Sequence, residues 1–211
     1  MKRLGVLAVL ILLVCHQAQA DTYIVAFSSF PDNEAQQVTN QLRRRVKPPI
    51  HCHYIPYARA TKAALAANML WLRTKAKKGD TVVIYISSHG SAGDKELWIS
   101  TANNGPNVSS EVIRKTTEAL SCRSLVLIDA CFSGSALKQL WRNAYVVCAA
   151  WDNQVSWTGG MSKAVCQQLR QPRHWTMRQF AFTLTATIPA CSRSQTPRFQ
   201  MIPQGDAPLT R

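Results

Sequence analysis

The chain has 211 residues with 25 basic and 11 acidic side chains, a formal charge of +14. That length suits a single domain able to bury a core. The charge implies solubility and a weak pull toward anionic surfaces, but no recognition helix, zinc finger or aromatic–basic sheet motif accompanies it, which excludes nucleic-acid binding as the main function.

Lys2 and Arg3 precede an apolar run from Leu4 to Val14, and Ala18-Gln19-Ala20 has the small-residue pattern of a cleavage site. The run is too short, and wrongly flanked, to span a bilayer. Val14 stands before Cys15 where lipid attachment would require a small residue. Residues 1–20 therefore read as a removable signal peptide. The mature chain, about 190 residues with a charge of +12 once Lys2 and Arg3 are gone, is expected to be exported, either periplasmic or secreted. No later segment is long and apolar enough for stable membrane insertion.

Thr22 to Ser28 is a continuous apolar run and reads as a buried strand. Pro31-Asp32 opens a helix with Asp32 as cap, Ala35, Val38 and Leu42 on one face, and Pro48-Pro49 as the stop. Arg43-Arg44-Arg45 falls at its end, where cations are favoured. Ile50 to Pro56 is a more polar strand, expected near a sheet edge. Thr61 to Lys78 is expected to be the longest helix, with Leu65, Met69 and Leu72 inward. Thr81 to Ser88, rich in Val and Ile, has the pattern of a parallel strand covered on both faces.

Gly90 to Pro106 reads as loop with a short strand at Leu97-Trp98-Ile99. Ser109 or Ser110 caps a helix bearing Ile113, Thr116 and Leu120. Leu125 to Ala130 and Tyr145 to Ala150 are further buried strands, and Gly159-Gly160 precedes a helix to about Leu169. Met177 to Ile188 fits both helical and alternating periodicity; the helix is preferred, with Pro189 ending it. From Gln195 the chain reads as irregular. Domain limits follow: residues 21–200 form the domain, and 201–211 an irregular tail. Strands alternating with helices imply right-handed crossovers, an α/β fold and a mainly parallel sheet with helices on both faces.

Two of these strands end in reactive residues. Val82 to Ser88 is followed by His89-Gly90, and Leu125 to Ala130 by Cys131-Phe132-Ser133-Gly134. A single crossover helix joins them, so they are expected to be parallel neighbours with their carboxyl ends side by side, where open α/β sheets place their sites. A thiolate can attack a carbonyl carbon, and an adjacent imidazole can take the thiol proton and return it to the leaving amine. Backbone N–H groups of Gly90 and Cys131 are the candidate donors to the oxyanion.

Tyr85-Ile86-Ser87-Ser88-His89-Gly90 resembles the His-Gly motif of caspase-like cysteine peptidases, and Asp129-Ala130-Cys131-Phe132-Ser133-Gly134 resembles their catalytic-cysteine motif. The likeness is closer to metacaspases and bacterial caspase-like proteins than to animal caspases. Asn33-Glu34-Ala35, Gly159-Gly160 and Gln195-Thr196-Pro197 look like further family landmarks in the same order. The resemblance implies a caspase-like three-layer sandwich, a six-stranded sheet in the order 2-1-3-4-5-6, and a cysteine–histidine dyad of Cys131 and His89. Asp129 stands where animal caspases carry Gln, Phe132 where metacaspases commonly have His, and Glu34 where the family has Asp.

Asp129 lies two residues before Cys131 and so shares its strand face. A buried carboxylate needs a partner: a substrate Arg or Lys, as the metacaspase likeness implies, or else an internal cation. Glu34 is a candidate second substrate-binding acid, or a helix-start carboxylate facing the dipole. Trp151-Asp152-Asn153-Gln154 follows a strand and is a candidate for lining the pocket, and Trp141, Trp151 and Trp157 are expected to anchor core or loops. His51-Cys52-His53 alternates across two strand faces, so no metal site is expected there. Asn107-Val108-Ser109 fits a glycosylation acceptor that only a eukaryotic secretory route would use.

With Cys131 reserved as a thiol, Cys52, Cys122, Cys148, Cys166 and Cys191 could form at most two disulfides, in any pairing. The expected function is a cysteine endopeptidase acting on peptide or protein substrates, cutting after Arg or Lys. A catalytically silent binding protein on the same fold, or a transpeptidase using the same dyad, are the alternatives. No cofactor or metal is required by this reading; calcium dependence and oligomeric state stay open.

Overall fold

A computed structural model describes residues 20–156, 159–192, 195–200 and 208–210. Residues 1–19, which hold Cys15 and nearly all of the expected signal peptide, Trp157, and the tail after residue 200 apart from Pro208–Thr210 lie outside the described residues.

Apolar runs become parallel strands. β1 (Thr22–Ser28) is flanked by β2 (Ile50–Ile55) and β3 (Thr81–Ser87). β3 pairs with β7 (Arg123–Asp129), and β7 with β8 (Ala144–Cys148), all in parallel. An antiparallel strand, β9 (Arg198–Gln200), completes the sheet along β8. The order is β2-β1-β3-β7-β8-β9, which in main-sheet counting is the 2-1-3-4-5-6 order of a caspase-like fold. A second small antiparallel sheet joins β4 (Gly90–Ala92), β5 (Leu97–Ile99) and β6 (Val108–Ser109).

Alternate side chains of the central strands feed two cores, because neighbouring residues of a strand point to opposite faces. Val25, Phe27, Ile84 and Ile86 meet Leu65, Met69 and Leu72 of α2 (Lys62–Lys75) and Ile113 of α3 (Glu111–Ala119). Ile24, Ala26, Val83 and Tyr85 meet α1 (Glu34–Arg45), α4 (Gly160–Arg170) and α5 (Met177–Cys191). Three layers result, with the sheet between two helical faces.

Local differences from the sequence reading have clear causes. Asn33, not Asp32, occupies the cap position of α1, yet the Asp32 carboxylate still accepts the Glu34 N–H at 3.1 Å. Among the described residues the longest helix is α5 rather than α2: α2 stops at Lys75, and α5 continues past Pro189, with the Ser192 N–H reaching the Ile188 carbonyl at 3.0 Å. Proline removes one backbone donor, and so close to the helix end that loss does not stop the last turn. Helix wins over strand in this segment because Thr176 and Gln179 form a reciprocal capping box at its start. The stretch read as irregular after Gln195 yields β9, since β8 would otherwise present an unpaired edge. The Gly90–Pro106 stretch, read as mostly loop, supplies strand β4. All six described cysteines are free thiols. No helix among the described residues is long and apolar enough to cross a membrane.

Candidate active site

The parallel register of β3 and β7 places Ser87 opposite Asp129, and the Ser88 N–H continues the ladder to the Asp129 carbonyl at 3.0 Å. His89 and Cys131 each follow this pair by two residues, so they leave neighbouring strands at the same level of the carboxyl edge. Both line one cleft of about 350 Å³, shared with Phe30, Ser87, Ser88, Asp129, Ala130, Val155 and Ser156. The topology thus brings together two residues that stand far apart in the sequence, and sets Asp129 beside them.

His89 is exposed, with its ring edge-on to Phe30 at 4.6 Å between centroids. Its backbone is held by the small sheet, where the Ser100 N–H donates to the His89 carbonyl at 3.0 Å. Ser88 braces the same turn, its hydroxyl lying 2.7 Å from the His89 carbonyl and 2.8 Å from that of Ser100. Bonded pairs alternate along an antiparallel ladder. With His89–Ser100 and Gly93–Glu96 bonded, the Gly90–Ile99 pair is a non-bonded one, and the Gly90 N–H points away from β5. Glycine is required at this point because a Cβ would overlap the Cys131 carbonyl oxygen.

Cys131 is half-buried, and its thiol donates to the Ser156 carbonyl at 3.6 Å. Phe132, directly after it, takes the left-handed conformation (φ 56°), an uncommon place for a bulky residue and a mark of a constrained turn. Its N–H is held by the Gln154 carbonyl at 2.7 Å. Gly134 allows the 150–152 segment to approach; a Cβ there would lie 2.6 Å from the Asp152 nitrogen.

Asp129 is 5 % exposed at the cleft floor. Its carboxylate accepts from the Ser156 hydroxyl at 3.2 Å and the Tyr85 hydroxyl at 3.4 Å. Among the described residues no Lys or Arg forms a salt bridge with it. Burial pushes its pKa up to about 7; the Ser156 hydrogen bond works against this, and the charge of Glu34 adds to it. Gln195 donates in turn to the Ser156 hydroxyl. A Cβ at Gly160 would overlap the Gln195 amide, so a side chain there would displace Gln195 from this position.

Glu34 does not line the cleft. It begins α1 and accepts from the Ser162 hydroxyl at 3.1 Å, with its carboxylate against Gly159. Burial raises its pKa, partly offset by that hydrogen bond. In the 151–156 stretch it is Val155 and Ser156 that reach the cleft, rather than the Trp151–Gln154 run. Trp151 instead carries the Arg198 guanidinium 3.4 Å above its ring. Phe30 and Ser156 carry no sequence signal of their own; the Gln195 landmark is the nearest pointer, because Gln195 holds Ser156. His51 pairs with Asp21 at 3.0 Å and His53 with Asn68 at 2.7 Å, and no group of three or more His, Cys, Asp or Glu placed to hold a metal occurs among the described residues.

The same architecture occurs in solved proteins. Protein GSU0716 from Geobacter sulfurreducens superposes with a TM-score of 0.68 at 13 % identity, over 88 % of this chain and 95 % of that one. The Drosophila initiator caspase Dronc gives 0.59 at 9 % identity, over 87 % and 80 %. Caspase-1 from Spodoptera frugiperda gives 0.57 at 10 %, over 89 % and 90 %. At such identities these likenesses establish a caspase-like fold and nothing finer. No curated protein sequence matches. The family model of the Peptidase C13 family matches residues 62–170, a span that begins with α2, ends with α4 and contains both His89 and Cys131. Caspase architecture and a peptidase-family match over the segment that builds the cleft agree with each other, and the chain belongs to the Peptidase C13 family.

Proposed function

We propose that the protein is a cysteine endopeptidase in which Cys131 is the nucleophile, His89 the acid–base partner and Asp129 the base of a pocket for substrate Arg or Lys. The observation that carries this is the level exit of His89 and Cys131 from paired strands into one cleft whose floor is a buried carboxylate with no salt-bridge partner among the described residues. The Cys131 proton passes to the imidazole, and the thiolate adds to the scissile carbonyl carbon. The oxyanion is held by the N–H groups of Gly90 and Cys131. His89 returns the proton to the leaving amine, and water, deprotonated by the same imidazole, hydrolyses the acyl-enzyme. The basic start and apolar run within residues 1–20 support export of this activity.

A peptide-library digest, with Cys131→Ala alongside, tests the reading directly: the wild type should cut after Arg or Lys and the variant should not cut. Adding an amine nucleophile and weighing the products separates hydrolysis from transpeptidation.

Two further outcomes are expected. Gly90→Ala should fold but lose roughly a hundredfold in activity, since shifting reacting groups by about 1 Å costs that much and the new methyl meets backbone, not a movable side chain. Unchanged activity would show that the spacing of these strands is unimportant. Active preparations should also run as one intact band. In the connection from Cys131 to β8, residues 133–136 of a 3-10 turn (Ser133–Lys138) are buried, Lys138, Leu140 and Arg142 are exposed, and Trp141, 1 % exposed, donates its indole N–H to the Ala136 carbonyl at 2.8 Å. Both sides of the exposed positions are tied to the core and the cleft is complete in the uncut chain, so activity that appears only after scission in this stretch would contradict the arrangement.

A further inference from the structure

Between Asp152 and Asp206 the sequence contains no acidic residue. The described part of that stretch places Lys163, Arg170, Arg173 and Arg178 on α4, α5 and the turn between them. α1 brings Arg43, Arg44 and Arg45 to the same place: Arg45 donates to the carbonyls of Gln171 and Arg173 at 3.0 and 3.1 Å, which ties its helix end to the α4–α5 turn. Thr22, the first residue of β1, donates to the Lys47 carbonyl at 2.8 Å. The arginines therefore sit at the amino edge of the sheet, opposite the cleft, while Lys163, next to Ser162 and Glu34, lies toward the other end of α4.

Arg43, Arg44, Arg170 and Arg173 are exposed, and none is salt-bridged to a carboxylate among the described residues. On the other helical face Glu111 and Glu118 neutralise Arg114 and Lys115, whereas Arg73 and Lys75 at the end of α2 are exposed and carry no salt bridge among the described residues. Favourable placement at helix C-termini explains a cation or two per helix. It does not explain the apolar group beside them. Phe182 is 64 % exposed, one turn beyond Arg178, and Ala186 and Pro189 follow on the same exposed face at helical spacing. α5 already buries Phe180, Leu184 and Ile188, so this is a second apolar stripe, bordered by positive charge.

We propose that this face docks the protein on an anionic lipid bilayer, with the arginines in the headgroup layer and Phe182 in the interface, leaving the cleft turned to solvent. Basic residues flanking an exposed aromatic are the chemistry of peripheral attachment. A second copy of the chain is a poor occupant, because it would bring the same positive charge against itself.

The test uses the chain from Asp21 onward, co-sedimented with phosphatidylcholine vesicles with and without phosphatidylglycerol, at low and high salt. Binding is expected only with the anionic lipid and should weaken with salt. Each cation near such a surface is worth about fivefold in affinity, so the double variant Arg43→Glu/Arg170→Glu should lose about 25-fold or more. Phe182→Ser should lose several-fold, whereas Lys62→Glu, at the start of α2 and away from the amino edge, should stay within about twofold. Circular dichroism of every variant checks that each is folded. Equal binding to uncharged vesicles, or indifference to the Arg43/Arg170 reversal, overturns the proposal. So does a Phe182 variant that binds like wild type while duplex DNA competes the vesicles off, which would assign the face to a polyanion instead.

Discussion

Replacing Cys131 with alanine should abolish peptide cleavage and leave the fold intact. Loss of one member of a catalytic unit can cost on the order of a millionfold in rate. The structural cost should be small, because the thiol makes a single long contact to the Ser156 carbonyl and is half-exposed. Changes of that kind usually stay within about 1 kcal/mol. His89→Ala should be nearly as damaging, since its ring contacts Phe30 and solvent, and no other histidine among the described residues lines the cleft. Thermal unfolding run beside the activity assay keeps the two effects apart. A contaminant-free Cys131→Ala preparation that still cleaves would show that the nucleophile lies elsewhere.

The second large effect is expected at Asp129, and it has a pH signature. Removing one partner of a desolvated charge pair costs about 2–5 kcal/mol, so Asp129→Ala should depress turnover of Arg and Lys substrates by roughly 30-fold or more at about 1.4 kcal/mol per decade. Neutral substrates should suffer less. In the free enzyme burial raises the carboxyl to about 7, well above the ordinary aspartate value. A cationic side chain requires the ionised form, so KM for basic substrates should rise as pH falls below about 7, and the profile should flatten in Asp129→Asn.

Stability runs the opposite way. A carboxyl with a raised folded pKa holds its proton more tightly folded than unfolded. Its contribution is therefore present at acid pH and lost as pH rises from the unfolded value through about 7. Asp129→Asn should consequently be at least as stable as wild type above pH 7. If Asp129 were instead held by an internal cation, the same variant would be destabilised. A wild-type digest that cuts after Asp, or with no basic preference, would sink the specificity assignment without touching Cys131 and His89.

Much of this arrangement is legible in the amino-acid sequence. The Val- and Ile-rich runs at 81–88 and 125–130 have the composition of doubly covered parallel strands, and the right-handed crossover between them brings His89 and Cys131 to one edge. Local pattern fails where two periodicities coincide. Met177–Ile188 satisfies both helix and strand, and only the capping box and the burial of Phe180, Leu184 and Ile188 decide it, leaving Phe182 outside. β9 is invisible in the sequence because three residues are too few to show alternation; its pairing is imposed by the open edge of β8.

What the sequence by itself determined is the strand and helix order, the two inner apolar faces, the position of the His-Gly and Cys motifs at strand ends, and the closeness of Asp129 to Cys131. These are periodic or adjacent features, and each is written in residues a few positions apart. The tertiary structure alone decided that Glu34 turns to Ser162 instead of the cleft, that Ser156 bridges Asp129 and Gln195, that Phe30 abuts His89, and that arginines from α1 and α4 gather on one face. Those contacts join residues far apart along the chain, chosen by packing and hydrogen-bond satisfaction across layers. No local propensity encodes them.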